Sequence, residues 1–239
     1  MSDIAVDPAL LDADLAEQSS AVVDWLRTLD DDVFDTSALP DWRVRDLVAH
    51  LGQAMTVLAG AEAADGEQDV HGDERRHDLA SYLASYADNA AGIHARAVEL
   101  AQEHAADPVG DVEEKVGLAV ANLTRLRADG VSVVRVRRGL IPLTSLVLTR
   151  LVELVVHADD LARAVHVTTP VDPTARTIVA QQLLAILRRR SGYELDVVDE
   201  RAWVRLATGR ITWDERGTAL RPGNLSEGLP DLRPFLPLL

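Results

Sequence analysis

Residues 143–165 read LTSLVLTRLVELVVHADDLARAV. The stretch is apolar almost all round, so the helix it predicts is buried over most of its circumference. At about 100° per residue, Arg150, Glu153, His157 and Asp160 fall within an arc of about 80°. Asp159 and Arg163 lie about 180° and 220° from Arg150 on the same wheel and mark the expected solvent side. The helix therefore carries an ordinary wet edge and a second polar stripe bordered by Leu, Val and Ala. Ionisable groups in such surroundings are costly unless paired or metal-bound. Glu153 and His157 form E-x-x-x-H, which stacks the two side chains one turn apart, about 5–6 Å between Cβ atoms. A carboxylate oxygen and an imidazole nitrogen so placed can converge on one cation at about 2.0–2.2 Å. The same spacing also suits a plain i,i+4 hydrogen bond.

Outward from this helix, the first two-thirds of the chain reads as further long helices. Leu11, Leu15, Val22, Val23 and Leu26 recur at helical spacing between Pro8 and Leu29. Pro40 punctuates the chain, and a second helix is expected from Arg43 to Glu62. Residues 65–77 are polar and aperiodic and read as a loop. A third helix is expected from Asp78 to His104, and a fourth from Pro108 to Asp129-Gly130, a helix stop. VSVVRVR (131–137) is β-branched and predicts a short strand or extended connector. Pro142 suits the first turn of the fifth helix, the one quoted above. TTPVDP (168–173) is the best linker candidate, and one more helix follows it. After Ser191-Gly192 the texture changes: YELDVV (193–198) reads as a strand, and RAWVRLATGR (201–210) as a short helix closed by Gly209. The fold class expected is mainly α: a helical bundle over 1–167, then a small α+β module over 171–239. Substantial strands are expected only after Gly192.

The 239 residues include 24 basic and 39 acidic ones, a formal net charge of −15. So acidic a surface repels phosphate backbones and argues against nucleic-acid and anionic-membrane roles. No apolar run reaches the roughly 20 residues of a membrane span. MSDIAVDPALLDADLAEQSS has no positive region ahead of an apolar stretch, so no secretory signal is predicted and a cytoplasmic location is expected. Cysteine is absent. Thiol chemistry would need a thiol brought from outside.

A third metal ligand would have to come from elsewhere. His50, in DWRVRDLVAHLGQ, lies beside the apolar face of Leu47, Leu51, Ala54 and Leu58, and the plain reading of a lone histidine there is a half-buried core residue. His71 and His77 fall in the charged loop. His94 and His104 are expected on wet helix faces, and His166 at a helix end where a cation suits the dipole.

PDWRVRDLVAHLG (40–52), followed about a hundred residues later by RLVELVVHADDLARA (150–164), resembles the mycothiol-dependent maleylpyruvate isomerase family. That resemblance implies a DinB-like four-helix bundle with His50, Glu153 and His157 as ligands of a divalent metal, most simply zinc. Family members usually carry Ser or Thr after the motif's Trp, as a helix cap. Arg43 stands there in this chain, which leaves Asp41 as the expected cap. WVRLATGRITWDE (203–215) and DLRPFLPLL (231–239) resemble the sterol-carrier-like module attached to many such bundles. Arg210 is the candidate contact for a substrate carboxylate, with Arg221 second. Arg150 and Asp160 are candidates to orient ligands or approach a bound cofactor.

Three functions of different kind follow. One is a metal-dependent enzyme with mycothiol as cofactor or cosubstrate, acting on a small electrophile by thiol transfer or by cis–trans isomerisation through reversible thiolate addition. Another is a non-catalytic protein that binds a metal or an apolar ligand. The last is a structural bundle whose polar stripe is a satisfied ion-pair network.

Overall fold

A computed structural model describes residues 6–64, 75–224 and 228–239. His71 and most of the charged loop lie outside the described residues. Helix α1 (Pro8–Leu26) begins with Pro8 at its first position, and the Asp7 side chain accepts from the Ala9 N–H at 2.8 Å. A hairpin of β1 (Ser37–Leu39) and β2 (Trp42–Arg43) leads into α2 (Val44–Ala59). There follow β3 (Glu62–Ala63), α3 (Leu79–Ala84), α4 (Ala90–Glu103), α5 (Pro108–Ala128), β4 (Val133–Val136) and β5 (Gly139–Pro142). The long α6 (Leu143–Ala164) precedes α7 (Pro173–Ser191), β6 (Leu195–Val197), α8 (Glu200–Ala207) and β7 (Leu220–Pro222).

Helices α1, α2, α5 and α6 pack together as the bundle, with α4 against the outside of α2. Helix α6 is its axis. Leu146, Leu148, Val152, Leu154 and Val156 are all at most 6% exposed although they point in different directions around it. The mainly α reading of the sequence holds, and α7, α8 and the β6–β7 ribbon form the small α+β part. One hydrophobic core runs without a break from Leu11 to Trp203 and Leu238. The 168–173 connection is pinned to α1, because Gln18 donates to the Pro170 carbonyl at 3.2 Å and accepts from the Asp172 N–H at 2.8 Å.

Three local expectations are corrected. The helix expected over Asp78–His104 is two helices, broken around Ser85 and Tyr86. Ser85 Oγ donates to the Tyr82 carbonyl at 2.6 Å and the Asn89 amide donates to the Ser85 carbonyl at 3.1 Å. Such short polar side chains compete with the helix for its own backbone. Strands are not confined to the region after Gly192: β3, β4 and β5 form an antiparallel three-stranded sheet before it. Its tight turn needs Gly139, at φ +125°, where any side chain would strike the Arg75 carbonyl. The start of α2 is capped by the Asp46 carboxylate, which accepts from the Arg43 N–H at 2.8 Å. Asp41 instead turns the hairpin at φ 65°.

Trp203 of α8 is fully buried, and its indole N–H donates to the Ala180 carbonyl of α7 at 2.9 Å. Trp203→Ala should therefore cost about 3–5 kcal/mol of stability, read as a lower urea midpoint. An unchanged midpoint would mean that α8 is not part of the common core.

Candidate metal centre

Helix α6 supplies Glu153 and His157 one turn apart, and α2, packed across it, supplies His50. Glu153 Oε2 lies 3.2 Å from His50 Nε2 and 3.2 Å from His157 Nε2. The two imidazole rings meet edge to face, centroids 4.8 Å apart. One ligand atom from each of the three residues lies within 4.8 Å of the other two. Ligands bound about 2.0–2.1 Å from a tetrahedral ion sit roughly 3.3–3.4 Å from one another. The two Glu153 distances match that spacing, and two imidazoles with one carboxylate form a suitable donor set for a divalent cation. His50, Glu153 and His157 could hold a metal.

The surroundings tune these groups. Burial resists ionisation of Glu153, but hydrogen bonds and charge from His157 and His50 hold it well below the ordinary carboxylate range. Burial, helped by the charge of His157, outweighs Glu153 at His50 and holds its pKa below the usual imidazole value. Burial also opposes the charged form of His157, yet Asp160 and Glu153 outweigh it and raise its pKa. Asp160 Oδ2 lies 3.1 Å from His157 Nδ1. An imidazole between two carboxylates satisfies both only by carrying two N–H groups. Burial pushes Asp160 up, but His157 and Arg210 win and hold it at about 2. On His50, Nδ1 is buried without a hydrogen-bond partner, and so is Oε1 of Gln53, one turn along α2.

The polar stripe of α6 is real, but its members do different things. Arg150 is 2% exposed and lies behind the triad, away from the cavity that the triad faces. It donates to the Ala54 carbonyl and to the Tyr86 hydroxyl, both at 2.6 Å, and to Thr149 Oγ1 at 3.1 Å. Asp160 is gripped by Arg210, with Nη2 at 2.9 Å and Nε at 3.2 Å from Oδ2. Arg210 also donates to the Thr208 carbonyl at 2.8 Å. The guanidinium expected to be free for a carboxylate is thus already matched. Arg221 pairs with Asp196 on the β6–β7 ribbon and does not line the cavity. Asp159, expected on the wet side, is covered by α8: Arg205 donates to its two oxygens at 2.7 and 2.9 Å.

His50 and His157 open onto a cavity of about 310 Å³ between α2, α4 and α6. Trp42 stands at its rim, with its ring edge-on to His50, centroids 5.4 Å apart. His94 is half-buried: its ring stacks on Trp42 at 4.9 Å, and Nε2 lies 3.1 Å from the Asp41 carbonyl. His77 and His104 are likewise engaged, with the Arg138 carbonyl and with Asp111, and take no part in the triad. Tyr86 and Trp42 were not singled out from the sequence. Trp42 lay inside the quoted motif, whereas Tyr86 reads as an ordinary member of an apolar helix face.

A family model described as the mycothiol maleylpyruvate isomerase N-terminal domain matches residues 15–162. The chain belongs to this family. Its bundle is the DinB-like helical domain, and the match spans α2 and α6, the helices that bring the triad together. No curated protein and no solved structure matches the chain. Among the described residues, no helix is long and apolar enough to cross a membrane.

The geometry behind the triad gives a direct test. Tyr86→Phe removes the acceptor of a buried guanidinium and should cost about 1.5–3 kcal/mol in denaturant unfolding. A neutral result would show that Arg150 does not depend on Tyr86.

Proposed function

We propose that the protein is a metal-dependent enzyme that uses mycothiol as cofactor or cosubstrate, either to transfer the thiol to an electrophile or to isomerise a double bond. The observation that carries this reading is the convergence of His50, Glu153 and His157 on an open cavity in a chain without cysteine. Membership of a family named for a mycothiol-dependent reaction supports it. His50 Nε2, Glu153 Oε2 and His157 Nε2 are the atoms that would hold the ion, with zinc the first choice. A divalent ion bound there would supply the charge that keeps a thiol deprotonated at neutral pH.

The chain's own residues do the positioning. Asp160 accepts from His157 Nδ1 and so leaves Nε2 facing the centre. Arg210 holds Asp160 in place and keeps it ionised, and takes this positioning role in preference to a carboxylate contact. Arg150 fixes Tyr86 and faces Glu153 from behind, and so acts without touching the cofactor. Trp42 and Val156 give the cavity apolar walls beside the triad. The C-terminal sterol-carrier-like module enters as the part that delivers Arg210 and Arg205 to α6. The apolar lining favours one alternative, a protein that binds a metal or an apolar ligand without turnover.

Protein purified without added metal should contain about one divalent ion per chain. His50→Ala and His157→Ala should both lose it while keeping their helical circular dichroism. Asp159→Ala should keep the ion and lose only stability. Full retention in both histidine variants would overturn the ligand assignment. Asp160→Asn should weaken metal affinity about 10–100-fold without unfolding the chain; unchanged affinity would remove its positioning role. Turnover of a test electrophile should require mycothiol and stop when the ion is stripped. Equal turnover without thiol would indicate a hydrolase, and none across a broad panel would favour the binding protein.

A further inference from the structure

Apart from the triad, Tyr86 and Arg210, the cavity at the triad has apolar walls. Leu39, Trp42, Ile93, Val152, Val156 and Leu239 surround it, and Ala87 and Ala90 widen it on the α4 side. Its volume of about 310 Å³ is at the lower end of the roughly 300–1,000 Å³ usual for ligand pockets. Among the residues lining it, Arg210 is the one with a permanent positive charge. That charge is already matched by Asp160, at 2.9 Å. Arg150 is buried behind the triad and does not line the space. A divalent charge held at the triad would be balanced by Glu153 and by one thiolate, leaving no surplus for another anion. A carboxylate entering here would lose its water and find no free partner.

Next to this chamber lies a groove of a different character. It measures about 1,150 Å³ and shares Leu39, Trp42 and Arg210 with the chamber. Its other walls are mixed: Arg163, Arg201, His166 and Thr169 stand among apolar residues such as Ala38 and Val167. The two spaces differ: the groove offers polar partners for the hydrophilic body of a thiol cofactor, and the chamber beyond the triad offers mainly apolar contact.

We propose that the electrophile is a small, uncharged, largely apolar molecule of about one ring, seated in the chamber, and not a carboxylate or dicarboxylate. Ile93 and Leu39 set this preference, being the partly exposed wall residues nearest in kind to what they would contact. The inference rests on the thiol-dependent reading for its chemistry, but selection by the chamber needs neither thiol nor metal. For an activated alkene the step balances as an addition. The sulfur–carbon bond forms, the π pair of the double bond moves to the neighbouring carbon, and that carbon takes the proton given up by the thiol. Nothing leaves.

The test uses two molecules of nearly the same shape, β-nitrostyrene and cinnamate, which differ in a neutral nitro group against a carboxylate. Phenylnaphthylamine, an uncharged dye that fluoresces in apolar surroundings, reports occupancy of the chamber in the full-length protein. With the ion stripped and no thiol present, no cation at the triad can hold cinnamate, and nitrostyrene has no cysteine on the chain to consume it. It should displace the dye at a concentration at least about tenfold lower than cinnamate. Ile93→Arg, with Leu39→Arg as a second variant, should weaken dye binding about tenfold and shift the preference toward cinnamate. Equal displacement by the two molecules, or dye binding indifferent to both variants, would overturn the inference. With metal and mycothiol supplied, nitrostyrene should be turned over faster than maleate, and the reverse order would also overturn it. If the displacement preference stands but thiol-dependent turnover fails for every electrophile, the proposed function falls and the chamber's selectivity remains.

Discussion

The buried carboxylate of Glu153 is the constraint around which the molecule is arranged. A carboxylate on the apolar side of a core helix is expensive unless other groups replace the water it loses. Here one oxygen faces two imidazole nitrogens from different helices. Arg150 lies on the far side, anchored by the Ala54 carbonyl and by Tyr86. These partners fix how α2 lies across α6, because His50 and the Ala54 carbonyl are both on α2. The break between α3 and α4 belongs to the same arrangement, since Tyr86 sits at it and reaches Arg150 from there. A helix continuous through Ser85 would carry that hydroxyl elsewhere.

From the centre the charges alternate outward. Glu153 leads to His157, His157 to Asp160, and Asp160 to Arg210. Each link is a hydrogen bond between groups of opposite formal charge in a site with little water. Such chains are stronger than their separate pairs and lose more than one contact when a member is removed. The outermost link belongs to the segment after α8, so the last quarter of the chain helps set the orientation of an imidazole in the bundle.

Much of this was legible in the sequence. The 3.6-residue period located the long helices, and the polar stripe on an otherwise apolar α6 singled out Glu153 and His157. His50 was different. By itself it read as a core histidine, and only the resemblance to a family made it a ligand. What the sequence withheld was what lies across from each helix. A helical wheel treats a helix as an isolated rod, and on that rod Asp159 faces water. In the fold, Arg205 arrives from 46 positions away and covers it. Arg150 looked available to a ligand for the same reason, because the Ala54 carbonyl that binds it is 96 positions distant. The break at Ser85 was hidden because Leu79, Leu83, Tyr86 and Ala90 keep helical spacing straight through it.

Asp159 and Asp160 are adjacent on α6, about 100° apart around its axis. Each holds an arginine from one short stretch of chain, Arg205 within α8 and Arg210 just beyond it. One such attachment would leave α8 able to pivot. Two attachments of different direction fix its rotation and its height along α6 together. Arg205 and Arg210 are separated by the end of α8 and by Gly209, whose φ of 74° turns the chain back. The length of that stretch is therefore a dimension of the molecule. It can exchange side chains, but inserting or deleting one residue would put one arginine out of phase with its aspartate. The loop after α8 behaves as a spacer of fixed gauge.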